Sequence, residues 1–88
     1  MKITELAKIL DKQLEMLYPD CAGKWYVSFR RGEVIDGCIL IGETGRGANP
    51  QDALIDYARK IRGKRMAFGA HTKDRMEFVI PNDLSGAL

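Results

Sequence analysis

Eighty-eight residues, 45% hydrophobic and 30% charged, have the composition of one folded domain, outside the low-hydrophobicity, high-charge regime of disorder. The net charge of +2 is too small to imply a nucleic-acid partner by itself, and no apolar run approaches the roughly 20 residues of a membrane span. Met1 to Leu10 interleave charge and hydrophobe, so no secretory signal is read; the chain is expected to be cytoplasmic, with Cys21 and Cys38 as reduced thiols.

The first expected element is an amphipathic helix from Thr4 to Leu17. Thr4 suits the N-cap, and Ile3, Leu6, Leu10, Leu14 and Leu17 form one apolar stripe at three- and four-residue steps. Tyr18-Pro19 ends it, because the residue before proline is pushed out of the helical region. From Lys24 to Arg30 the period becomes two. Trp25, Val27 and Phe29 share one face, and Tyr26, Ser28 and Arg30 share the other. Arg31-Gly32 and Asp36-Gly37 are both turn signals, and a second strand is expected over Cys38–Gly42, with an earlier start near Glu33 also compatible.

Gly42 to Gly47 reads as a glycine-rich loop with positive φ at two or three positions. The second helix carries the strongest start signal. Asn49 is the N-cap, Pro50 takes the first helical position, and Asp52 lies in the first turn. Ala53, Leu54, Tyr57, Ala58 and Ile61 give its buried face, and Gly63 its end. Two short strands come after it, Arg65–Phe68 and Met76–Ile80, and residues 82–88 read as a flexible tail after a domain spanning 1–81. The expected fold class is α+β in αββαββ order: a small, mainly antiparallel four-stranded sheet with two helices packed on one face.

Three places invite function. The outer strand face, with Tyr26 and Arg30, and Arg46 in the glycine loop, present residue types favoured at binding hot spots; an exposed strand edge there also allows a dimer. The glycine loop itself, Gly45 and Gly47 around Arg46 before a helix N-terminus, offers backbone amides to a phosphate or an acidic side chain, although its spacing is neither the dinucleotide fingerprint nor the P-loop. Its plain reading is a tight turn. The basic cluster Arg59, Lys60, Arg62, Lys64 and Arg65, joined by Lys73 and Arg75, would neutralise phosphates as one patch; its plain reading is a solvated helix end. Residues 1–45 hold six Lys/Arg against seven Asp/Glu, and residues 46–88 hold eight against five, so the positive charge is concentrated here.

Catalysis finds little footing. His71 is the single histidine, in a polar loop, and Cys21 and Cys38 lack further ligands for a zinc site. No enzyme activity, cofactor or metal is expected.

The run Gly45-Arg46-Gly47-Ala48-Asn49-Pro50-Gln51-Asp52-Ala53-Leu54-Ile55-Asp56-Tyr57-Ala58, with Gly63-Lys64, Arg75, Glu77 and Pro81, resembles small proteins of bacteriophages and prophages over roughly Trp25 to Pro81. That group has no established activity and lends no catalytic residues. The loop-plus-helix segment is also similar to the half-RNase-H-like part of HicB-type antitoxins, although here a helix precedes the first strand and no DNA-binding module comes after. The phage resemblance implies a non-enzymatic accessory protein that binds and modulates a host macromolecule, such as a host or defence protein. Nucleic-acid or nucleotide-phosphate binding is the alternative.

Overall fold

A computed structural model describes residues 1–17 and 22–86. The first helix, α1 (Ile3–Leu10), buries Ile3 and Leu6. Its N-cap is Lys2, not Thr4: no side chain caps this end, and the Lys2 carbonyl accepts from the amides of Glu5 and Leu6 at 3.0 Å. The helix also ends well short of Leu17. Asp11 turns into the left-handed region (φ 54°, ψ 46°), and its amide donates to the carbonyls of Ala7 and Lys8. The next element is a strand, β1 (Leu14–Leu17). Leu10, Leu14 and Leu17 keep helical spacing, but the backbone groups beyond the cap are satisfied across a sheet instead. The expected stop at Tyr18-Pro19 lies outside the described residues, as does Cys21.

β1 pairs antiparallel with β2 (Trp25–Phe29), whose alternation is as expected: Val27 and Phe29 are buried, and Tyr26 and Ser28 are on the other face. Both turn signals are used, which inserts a strand. Arg30-Arg31, with Arg31 at φ 59°, leads into β3 (Gly32–Asp36); Gly37, at φ 62°, leads into β4 (Ile39–Ile41). The glycine loop then contributes β5 (Gly45–Gly47), succeeded by α2 (Pro50–Ile61), β6 (Arg65–Phe68) and β7 (Met76–Val79). At α2 the cap is as read, with the Asn49 side chain accepting from the Asp52 amide at 2.8 Å.

Among the described residues the architecture is α+β, with two helices and antiparallel pairing between all the named strands, but the single αββαββ sheet is corrected. The strands form two sheets, one ordered β1-β2-β5 and the other β4-β3-β6-β7. α2 lies against β5 and β2. An aromatic line ties the two sheets together. Tyr57 of α2 meets Phe29 of β2 (ring centroids 5.9 Å), Phe29 meets Phe68 of β6 (5.5 Å), and Phe68 meets Phe78 of β7 (5.8 Å). Edge-on aromatic pairs of this kind add to the area that they bury. The Tyr57 hydroxyl accepts the Phe29 amide at 2.9 Å, so a buried polar group is satisfied. Desolvation pushes its phenol up to about 12; the nearby Glu43 acts in the same direction and the Phe29 hydrogen bond against it.

The segment expected to fray is docked through Gly86. Leu84 is 4% exposed and belongs to the core. Lys2 and Ser85 form a parallel bridge, with the Ile3 amide donating to the Ser85 carbonyl at 2.7 Å and the Ser85 amide to the Met1 carbonyl at 2.8 Å. Gly86 fits against α2 so closely that a Cβ would stand 2.3 Å from the Leu54 carbonyl oxygen. A tail was expected because Pro81 stops the last strand, but one leucine and a glycine-sized space hold the segment down through Gly86.

Candidate binding surfaces

Cross-strand register builds the first surface. Leu17, Tyr26 and Arg46 stand opposite one another on β1, β2 and β5, on the sheet face away from buried Val27. The Arg46 guanidinium lies 5.8 Å from the Tyr26 ring centroid, within the range of a cation–π contact. Arg30, the third expected residue, is drawn to Glu15 of the same face at 3.6 Å. The structure therefore brings Tyr26 and Arg46 together and adds Leu17, 62% exposed, which helical periodicity had hidden. Apolar residues are also exposed at the sheet edges. Met16 and Leu17 on β1, Ile39 and Ile41 on β4, and Met76 and Val79 on β7 are exposed large hydrophobics on strands that each have one partner among the described residues. Edges are where natural proteins usually place charge, so apolar edges are informative.

Within the loop, Gly45 and Gly47 serve packing. None of Gly42, Gly45 and Gly47 has positive φ; those that do are Gly23, Gly37, Gly63 and Gly69. A Cβ on Gly45 would lie 2.3 Å from the Ala53 carbonyl oxygen, and one on Gly47 would lie 2.5 Å from the Ala53 amide. Both glycines let β5 press against α2. The amide that the loop was expected to offer an anion is already engaged, since Arg46 N–H donates to Asp56 Oδ2 at 2.9 Å.

Asp56 is the centre of this second surface. It receives Arg59 at 2.5 Å and Lys60 at 2.8 Å, and Lys60 also donates to the Thr44 carbonyl at 3.0 Å. Desolvation works to raise its carboxyl pKa, but the hydrogen bonds from Lys60, the Arg46 amide and Arg59, with the charge of Lys60, bring it down to about 2. Lys24, Arg46, Gly47, Asp56, Arg59 and Lys60 line a hollow of about 350 Å³ above it. The signal for the Asp56 pairs was present in the sequence, as carboxylate and cations three and four residues apart on one helix.

The cluster expected over Arg59–Arg65 does not front one hollow. Arg62 lines a groove with Ile55, Asp83 and Leu84; Lys64 and Arg65 line another with Val34, Asp36 and Glu43. Arg65 reaches Glu77 at 2.6 Å, and Arg75 shares that carboxylate at 3.2 Å. Helix end and strand start are contiguous in sequence, but the turn at Gly63 (φ 73°) sends their side chains to different neighbours. His71 is exposed, beside Arg31, Glu33 and Thr72. Cys38 is an exposed free thiol. Among the described residues, no group of three or more His, Cys, Asp or Glu is placed to hold a metal ion, and no helix is long and apolar enough to cross a membrane.

No family model, curated protein or solved structure matches this chain.

Proposed function

We propose that this chain is a non-enzymatic accessory protein of phage or prophage type, acting in the cytoplasm by docking on a host macromolecule through protein contacts. The observation that carries the docking is the row Leu17–Tyr26–Arg46 beside the β1 edge. An isolated exposed leucine is ordinary. An aliphatic, an aromatic and an arginine in register on one open sheet face form the combination from which interface hot spots are built, and the adjoining edge can accept another strand. The phage assignment rests on the sequence resemblance alone. The alternative, a nucleic-acid strip along Arg59–Arg65, is served less well, since Arg62 fronts one hollow and Lys64 and Arg65 another.

The test is capture of the tagged protein from host lysate at low and high salt after nuclease treatment, beside a Leu17→Asp/Arg46→Ala variant. A protein partner retained by the parent under both conditions and lost by the variant is the expected result. Recovery of no protein partner overturns the function, and equal recovery by the variant overturns the surface.

A further inference from the structure

We infer that the hollow over Asp56 is a binding site for a phosphate group, gripped by Arg46, Arg59 and Lys60. The fold already holds one oxyanion at this point: the Asp56 carboxylate takes the Arg46 amide, Arg59 and Lys60 at 2.5 to 2.9 Å. Two cations, Arg59 and Lys60, pair with that carboxylate, and the side chains of Lys24 and Arg46 line the same hollow of about 350 Å³, so four cations surround one carboxylate there. Arg46 and Arg59 keep exposed side chains, and Arg46 is steadied over the Tyr26 ring. A guanidinium held against a ring at the rim of a cationic hollow is suited to bidentate phosphate contacts. Asp56 organises the cations and, by its own charge, holds down their affinity. This site takes only Arg59 and Lys60 from the Arg59–Arg65 cluster and adds Arg46, which it shares with the docking row.

The site is tested by an amide NMR titration of the full chain with inorganic phosphate, at ionic strength held constant with chloride. Saturable shifts at Arg46 and Gly47 are expected. The exposed pair Arg46→Gln/Arg59→Gln, checked for an unchanged melting temperature, should weaken binding at least about tenfold, from the loss of charge-assisted hydrogen bonds. Asp56→Asn, if it folds, should tighten it. Adenosine monophosphate and a short oligonucleotide without terminal phosphate then separate the sources: binding of the first alone assigns a terminal phosphate, and binding of the second that falls steeply with salt assigns a nucleic-acid backbone. Shifts no larger than those with chloride, or equal binding by the parent and the double variant, overturn the site.

Discussion

At Gly45 one hydrogen stands where any other residue would put a carbon into the backbone of α2. A Cβ there would meet Ala53 O at 2.3 Å, Tyr57 Cβ at 2.4 Å and Tyr57 N at 2.6 Å, and helix backbone cannot move aside as a flexible side chain can. Gly45→Ala should therefore destabilise the protein by about 2–3 kcal/mol, as overpacking does. Gly42, only three positions earlier, has nothing within 4 Å of an added Cβ. Gly42→Ala should stay within about 0.5 kcal/mol of the parent, or gain slightly by stiffening the unfolded chain. Urea denaturation of both variants checks the contrast, which a shared need for positive φ would erase. The glycines were visible in the sequence, but the reason for them was not. Close approach depends on which element comes to lie against the loop, and local residue pattern carries no such information.

Among the elements, α2 and β2 were legible because every local signal agreed: cap, proline, apolar spacing and alternation all pointed the same way. β1 was not, since Leu14 and Leu17 extend the stripe of α1 and only the left-handed turn at Asp11 separates the two. β5 was not either, because a three-residue strand with two glycines has no strand signature of its own. Besides the glycines, Asp56 fastens β5 to α2. Its carboxyl is ionised in the fold down to about pH 2, against an ordinary value of 3.8, so folding favours the charged form. That contribution, on the order of 2 kcal/mol, is complete above roughly pH 5 and is lost as pH falls from there toward 2. Unfolding free energies measured across that range should therefore fall more steeply in the parent than in Asp56→Asn, and the two should converge near the acid end. Parallel curves would show that the carboxylate does not clamp these elements.

For the whole molecule, one hydrophobic cluster draws on both sheets, both helices and the segment after β7. Leu84 is the anchor of that last segment. Leu84→Ala should cost about 2–3 kcal/mol, in the range for buried leucine truncation. A calorimetric melt would show it, whereas a frayed tail predicts no change. The candidate site was legible in part, again for a reason of scale. Tyr26 and Arg46 were identifiable by type, but their meeting needed the register of three strands, and the dispersal of Arg62, Lys64 and Arg65 needed the turn at Gly63. The bridge between Lys2 and Ser85 has a further consequence, in time instead of space. β5 and α2 are separated only by Ala48 and Asn49, so their packing is local and asks little of the rest of the chain. Joining Lys2 to Ser85 encloses almost everything between the two ends and carries the largest loop-closure entropy in the fold. The expected order is β5 and α2 first and the two ends last, so native-state hydrogen exchange should find the Ile3 and Ser85 amides less protected than those of α2.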